Sequence, residues 1–302
     1  MKIQELTSKY DLYLQFTRQL SVNTRMAYRR DLAIFMDFWR CSAPDWSAVD
    51  KAFIYGFLQA NNHLSAASQS RMISALRLFF DFLVQENALS ANPFQLIQKP
   101  KTTRPLPKVL TVHQVQQLLA LAKGDAPHQQ RNFVLLQLLY GAGLRVSEAI
   151  DLRIRDLFLE QGFLRVIGKR DKQRLVPIGG IIVRELQHYL QVIRPSFPKE
   201  KNSDFVFLSR HGQPLSRIMI FKIVRELAHQ AGIPLDIGPH TFRHAFATHL
   251  LEGGANLRAV QQLLGHADIA TTEIYTHLDD EFLRSEILQY HPLAHKNQPK
   301  GD

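Results

Sequence analysis

Residues 131–152 read RNFVLLQLLYGAGLRVSEAIDL, and this stretch decides the fold of the second half of the chain. Its first part is a nearly unbroken apolar run, which predicts a buried helix. Gly141 and Gly143 break that helix, because glycine permits a tight backbone turn. A second helix is predicted to open near Arg145, so the turn would deliver this arginine at a helix start.

The segments around this stretch predict more helices and a small sheet. Thr111 is predicted to cap a helix over TVHQVQQLLALA, with an apolar face at Val115, Leu118 and Leu119. FLRVIGK and QRLVPI predict two short strands of a hairpin around Arg170-Asp171-Lys172. The remainder to the C-terminus is mostly helical, with breaks at 195–202, 212–214 and 232–239. We therefore predict a mainly α fold with a small β-sheet in the C-terminal domain.

Residues 1–98 are predicted to form a separate helical domain. Capping residues at 21–24 precede a helix with an apolar stripe at Tyr28, Leu32, Phe35, Met36 and Trp39. A second stripe lies between Ser65 and Gln85, at Met72, Ile73, Leu76, Phe79, Phe80, Phe82 and Leu83. Stripes of this kind are typical of helix cores, and we interpret them so rather than as a cofactor pocket.

Residues 99–111 are predicted to be a linker between the two domains. Prolines and threonines prevent a continuous helix there and favour an extended chain. The segment contains no acidic residue and four basic ones, Lys99, Lys101, Arg104 and Lys108. This charge suits a segment that lies along phosphates, although a solvated hinge would have the same composition.

Composition bounds the kind of protein and its partners. A formal net charge of +10 and a pI near 9.8 favour a polyanionic partner, without identifying it. The single cysteine excludes an internal disulfide and suits a reducing compartment. The N-terminus carries charges throughout, and the apolar runs are shorter than the ~20 residues that span a bilayer. We expect a soluble cytoplasmic protein with no membrane partner.

Five cationic or imidazole residues precede a lone tyrosine, Tyr275, in the second half of the chain. They are Arg145, Lys169, His240, Arg243 and His266. Each has a structural alternative: a capping arginine, a solvated turn lysine, or a hydrogen-bonded histidine. Together they are what metal-free phosphoryl transfer to a tyrosine would need, since guanidiniums bind phosphate oxygens in bidentate geometry. The sequence has no acidic cluster arranged to hold Mg²⁺, so we expect neither a metal nor a cofactor.

The local sequences of these segments resemble those of the tyrosine recombinase (phage-integrase) family. The resemblance is strongest to its Xer-type bacterial members, and among these it favours the XerD type. The matching phrases are GLRVSE, a strand ending in Gly168-Lys169, HTFR, LLGH, and a tyrosine nine residues after His266. All six catalytic positions of the family pattern are present, and the match covers most of the chain.

The resemblance implies a two-domain, C-shaped DNA clamp. Residues 1–98 would be the SAM-like core-binding domain, 99–111 the basic linker, and 112–302 the catalytic domain, with a C-terminal helix that packs onto a neighbouring protomer. Tyr275 would be the nucleophile, Lys169 the general acid, His240 a proton acceptor, and His266 a phosphate ligand. Candidate DNA contacts are Lys99, Lys101, Arg104, Lys108, Arg170, Lys172 and Arg174.

Three functions remain open. The first is a Xer-type recombinase that resolves chromosome dimers at a dif-like site in a heterotetramer with a paralogous partner, with an FtsK-like DNA translocase as activator. The second is a phage or mobile-element integrase with identical chemistry. The third is a DNA-binding regulator without catalysis, against which the full catalytic set argues. Double-stranded DNA is the expected partner in all three.

Overall fold

A computed structural model of the protein describes residues 3–42, 46–101, 109–168, 173–198, 204–233, 237–265 and 277–294. The chain divides into two compact units, Met1–Leu106 and Pro107–Asp302. Of the predicted linker cations, Lys99 and Lys101 are described and exposed, whereas Arg104 and Lys108 lie outside the described residues. None of the helices in these ranges is long and apolar enough to cross a membrane.

The regular secondary structure in the described part of the first unit is all helical. Its α-helices are α1 (Ile3–Leu12), α2 (Val22–Ser42), α3 (Lys51–Ala60) and α4 (Ala66–Gln85). Side-chain oxygens cap two of the starts: Asp50 accepts from the N–H of Phe53 at 2.7 Å, and Ser65 from that of Ser68 at 3.3 Å. Such caps satisfy N–H groups that have no partner within the helix.

The aromatic stripes of this unit form its core, as predicted. Phe35 of α2 is fully buried and meets the rings of Phe57, Phe80 and Phe94 edge-on, with centroids 5.1 to 5.8 Å apart. Edge-to-face contacts are a favoured geometry for aromatic pairs. The stripe of α4 packs against α2.

The second unit contains eight α-helices in its described part. They are α5 (Val112–Ala122), α6 (Pro127–Gly141), α7 (Val146–Asp151), α8 (Gly180–His188), α9 (Arg217–Gln230), α10 (Pro239–Gly253), α11 (Leu257–Leu263) and α12 (His277–Tyr290). The predicted cap at Thr111 is confirmed: its Oγ1 accepts from the N–H of Gln114 at 3.2 Å. Helix α6 is buried along most of its length, as its apolar run predicted.

A three-stranded antiparallel sheet completes the second unit. Strands β1 (Leu157–Phe158), β2 (Phe163–Ile167) and β3 (Gln173–Pro177) pair in that order. The predicted hairpin is β2–β3, while residues 169–172 between them lie outside the described residues. The two-residue strand β1 was not predicted, because it is too short to show an alternating pattern. The predicted fold class, mainly helical with a small sheet in the second unit, is confirmed.

Helix α12 packs against its own unit. Leu283 and Ile287 are buried against the second core, and the guanidinium of Arg284 donates to the carbonyl of Gln161 at 3.3 Å. Phe282 and Leu288 of the same helix remain substantially exposed. Exchange of the C-terminal segment between protomers therefore stays a prediction, which a single chain does not test.

Candidate active site

The glycine turn after α6 places Arg145 where the sequence predicted. Helix α6 ends at Gly141, Gly143 adopts a φ of +59°, and Arg145 is the extended residue directly before α7. A Cβ atom on Gly143 would lie 2.5 Å from a ring carbon of Phe246 on α10. Glycine is therefore required here both for its backbone conformation and for the close approach of α10.

Glu148 is the centre of the site. Its carboxylate, 1% exposed, accepts from the backbone N–H of Arg145 at 2.8 Å and from the Arg145 guanidinium at 2.7 Å. Arg174 of β3 donates to both carboxylate oxygens, at 2.8 and 2.9 Å. Arg243 of α10 lies 3.8 Å from the same carboxylate. We call Arg145, Glu148, Arg174 and Arg243 the Glu148 cluster.

Arg243 is held by backbone carbonyls as well as by charge. One guanidinium nitrogen donates to the carbonyl of Gly143 at 2.6 Å, and another to the carbonyl of Leu264. These contacts tie α10 to the glycine turn and to the end of α11. Because the guanidinium has five N–H groups in a fixed fork, two carbonyl contacts leave donors for a further anion.

His240 lies on the first turn of α10, three residues before Arg243. The N–H of Gly238 donates to Thr241 Oγ1 at 3.2 Å, which closes the start of the helix. The His240 side chain is exposed, and its ring centroid is 6.3 Å from that of Phe221. The predicted spacing thus places an exposed imidazole beside a partly buried guanidinium on one helix.

Charges in the Glu148 cluster shift the pKa of two of its members. Burial would raise the pKa of Glu148, but the hydrogen bonds and charge of Arg174, together with the hydrogen bonds of Arg145, outweigh burial and lower this pKa to about 2. Burial, with the charge of Arg145, lowers the pKa of Arg243 to about 10. Glu148 is therefore ionised and Arg243 still protonated at neutral pH. Three cations around one anion leave the cluster with an excess of positive charge suited to a phosphate.

Three of the six predicted catalytic residues are described, and all three lie together. Arg145 and Arg243 share the carboxylate of Glu148, and His240 is on the same helix as Arg243. The other three, Lys169, His266 and Tyr275, lie outside the described residues. Glu148 supports Arg145 structurally, through hydrogen bonds to its backbone N–H and to its guanidinium.

Arg174 differs from its prediction as a DNA contact. Its side chain is 8% exposed and bonded to Glu148, so we no longer count it among the cations that face DNA. Arg170 and Lys172 of the same predicted turn lie outside the described residues. The pairing register explains the difference, because Arg174 and Val176 occupy buried positions on one face of β3, whereas Leu175 between them is 37% exposed.

Within the described ranges, no group of three or more His, Cys, Asp or Glu side chains is placed to hold a metal ion. The site is instead arginine-rich, and its carboxylate is fully engaged by guanidiniums. The arrangement is suited to binding an anionic group and to stabilising charge that develops on it.

Replacing Gly143 with alanine is expected to destabilise the second unit. A left-handed conformation costs a non-glycine residue about 1–2 kcal/mol, and the contact with Phe246 adds to that cost. The midpoint of urea-induced unfolding would measure the change. Gly56→Ala in α3 is the control: its new methyl group meets open space in a helix interior, so it should stabilise by up to about 1 kcal/mol. Equal midpoints for the two variants would contradict this explanation.

Two family models match the chain. Residues 108–281 match the model described as phage integrase family, and residues 8–87 match the phage integrase N-terminal SAM-like domain. The first match includes the Glu148 cluster together with His240, His266 and Tyr275.

Curated proteins and a solved structure are similar over nearly the whole length. The chain is 41% identical to the tyrosine recombinase XerD of Listeria monocytogenes serotype 4b (strain F2365) over 298 residues, covering 97% of this chain and all of that protein. It is 40% identical to XerD of Staphylococcus aureus over 300 residues, with the same coverage. A crystal structure of the XerH recombinase bound to palindromic difH substrate, after cleavage, aligns with a TM-score of 0.70 at 26% identity, over 90% of this chain and 81% of that one.

Proposed function

The chain belongs to the phage integrase family of tyrosine recombinases, and on that basis we propose that it cuts and rejoins DNA strands at a specific site through a 3′-phosphotyrosyl intermediate. The observation that carries the proposal is the convergence of Arg145 and Arg243 on Glu148, with the exposed His240 on the same helix. Two permanently charged guanidinium groups held close together can stabilise the extra negative charge of a phosphodiester in its transition state.

Arg145 and Arg243 bind the two non-bridging oxygens of the scissile phosphate. As a nucleophile attacks, a second negative charge develops on the phosphoryl oxygens, and the guanidiniums interact more strongly with it than with the ground state. Glu148 holds Arg145 from below through two hydrogen bonds, so this arginine needs little reorganisation when DNA binds. Both carboxylate oxygens of Glu148 already accept hydrogen bonds from arginines, and the carboxylate stays ionised at neutral pH.

Tyr275 attacks the phosphorus through its hydroxyl oxygen. The new bond is between tyrosine and the 3′-phosphate, and the bond to the 5′ oxygen of the next nucleotide breaks. His240 accepts the phenolic proton, His266 donates a hydrogen bond to the phosphate, and Lys169 gives a proton to the departing 5′ oxygen. Attack by another 5′ hydroxyl reverses these steps and joins exchanged strands. The phosphotyrosyl bond conserves the energy of the broken strand, so ATP is not needed.

We further propose that the biological reaction is resolution of chromosome dimers at a dif-like site, in the cytoplasm. Identity of 40–41% to two XerD proteins over nearly full length supports this role over that of a mobile-element integrase. The chain would act with a paralogous Xer-type recombinase in a heterotetramer, and a DNA translocase of the FtsK kind would activate it. Lys99 and Lys101, both exposed, would contact DNA phosphates with the rest of the 99–111 linker.

A nicked suicide duplex that carries a dif-like core site tests the proposal. Incubated with EDTA, the protein is expected to form a covalent adduct that migrates as a larger species on a denaturing gel. If the adduct forms only when a paralogous recombinase is added, the result would support the heterotetramer. If the protein reacts efficiently without a partner on a mobile-element core site, the result would favour the integrase alternative. Retarded DNA without an adduct, on both sites and with the partner present, would favour the regulator alternative.

A further inference from the structure

Arg174 is a buried arginine of the site. In the proposed chemistry it makes no contact with DNA. It lies on the inner face of β3, and its guanidinium grips both oxygens of Glu148. The third donor, Nε, reaches the carbonyl of Leu263 at the end of α11, at 3.3 Å. Both side chains of the ion pair are more than nine-tenths buried. Burying two charges costs desolvation free energy, which good pairing geometry and further hydrogen bonds have to offset.

At the end of α11, three successive backbone carbonyls each accept a hydrogen bond from a different arginine. Arg174 donates to Leu263, Arg243 to Leu264 and Arg145 to Gly265. The last carbonyls of a helix have no partner within it, and they carry the negative end of its dipole. Three cations therefore fix the residues that directly precede His266 in the sequence. Gly265 has a φ of +62°, and a Cβ atom there would come 3.1 Å from Arg174 Nε.

We propose that Arg174 is a positioning residue for DNA strand cleavage, which holds Glu148 and the end of α11 so that Arg145 and Arg243 meet the phosphate in one fixed geometry. The inference rests on the proposed function, and it adds a residue that does not touch the substrate. Arg174 is the only described member of the Glu148 cluster bonded to both carboxylate oxygens through its side chain.

Arginine is required at this position because of its shape. A lysine retains the charge but has a single ammonium group, which does not reproduce the planar fork on Glu148 together with the contact to Leu263. An uncharged glutamine leaves Glu148 with the two other cations that face it, Arg145 at the start of α7 and Arg243 of α10. The pKa of Glu148 then rises, since burial is no longer offset by Arg174.

Four variants test the proposal on the nicked duplex: Arg174→Gln, Arg174→Lys, Glu148→Gln and the double variant of Glu148→Gln with Arg174→Gln. Arg174→Gln is expected to slow adduct formation by about 10²-fold near neutral pH, with DNA retardation unchanged within about twofold. Its rate should fall further than that of the wild type as the pH is lowered, because protonated Glu148 releases Arg145. Arg174→Lys should lose less and keep the wild-type pH profile. Glu148→Gln combined with Arg174→Gln should be no slower than the worse single variant, since the two residues act as one unit.

Arg165→Gln is the matched control. Arg165 lies on the neighbouring strand β2 and pairs with Asp156 at 2.6 Å, outside the Glu148 cluster. It makes the same change of charge in the same sheet, so it should leave both the cleavage rate and its pH profile unchanged. A folded Arg174→Gln variant that cleaves at the wild-type rate would overturn the proposal. A cleavage rate of Arg174→Gln that is reduced by the same factor at every pH would also overturn the proposal. If Arg174→Gln does not fold, a wild-type rate for Arg174→Lys overturns it.

A measurement without DNA separates this inference from the proposed function. In the wild type, the depressed pKa of Glu148 means that its contribution to stability is present above the unfolded-chain value and is lost only as the pH falls towards about 2. In Arg174→Gln, protonation of Glu148 at mildly acidic pH instead relieves a buried charge. The gap in thermal midpoint between the two proteins should therefore narrow between about pH 7.5 and about pH 4.5. A constant gap overturns the positioning role even if no duplex yields an adduct.

Discussion

Tyr275→Phe is expected to abolish the covalent protein–DNA adduct while DNA retardation stays at the wild-type level. The substitution removes one hydroxyl oxygen and leaves the aromatic ring. The Glu148 cluster therefore keeps its charge, but the reaction has no nucleophile. Loss of a nucleophile typically lowers the rate by at least about 10⁴-fold, which places the product below detection on a gel. The readout is the denaturing-gel adduct on a nicked dif-like duplex, beside a native retardation assay.

Tyr290→Phe is the control for this experiment. Tyr290 is the tyrosine nearest to Tyr275 in the sequence and ends helix α12, where it packs against the second core. It should form adduct at the wild-type rate. An adduct that persists in Tyr275→Phe and disappears in Tyr290→Phe would show that the nucleophile has been assigned to the wrong residue, with the reaction class unaffected.

Helix starts and the arginine at the glycine turn were predictable because their causes are local. Ser65 and Thr111 cap helices through contacts three residues away, and Glu148 reaches Arg145 over the same distance. The spacing of polar residues at a helix start is therefore enough to identify these contacts. The pairing of Arg145 with Glu148 is visible in the phrase GLRVSE before any fold is known.

Long-range contacts were not predictable in the same way. In QRLVPI the apolar Leu175 suggests an inward position and Arg174 an outward one, yet the register with β2 reverses them. The inward arginine is stable because it meets buried acceptors far away in the chain, Glu148 from 26 residues earlier and the carbonyl of Leu263 from 89 residues later. The pair of the buried Asp31 with the exposed Arg71 in the first unit has the same origin, since its two members lie 40 residues apart. A single sequence carries no signal of such partners.

Arg243→Lys is expected to slow strand cleavage by about 10²–10³-fold, the usual cost of removing one preorganised donor group. Arg243 donates to the carbonyls of Gly143 and Leu264 and still has donors for a phosphate oxygen. One ammonium group does not bridge two fixed carbonyls and a phosphate at once, so the variant gives up either the phosphate contact or the anchoring of α10. The positive charge is retained, and DNA affinity should change little because it comes from many phosphate contacts.

The split between rate and affinity is the decisive observation for Arg243. Adduct formation under single-turnover conditions gives the rate, and retardation at several salt concentrations gives the affinity and its salt slope. Arg184→Lys makes the same exchange on the exposed side of α8 and should alter neither. A uniform loss of affinity in Arg243→Lys with an unchanged rate for bound DNA would mean that Arg243 only attracts the backbone. A slower rate with an unchanged salt slope would instead mean that the Arg243 guanidinium stabilises the transition state. The carbonyls of Gly143 and Leu264 hold the guanidinium in place for this role.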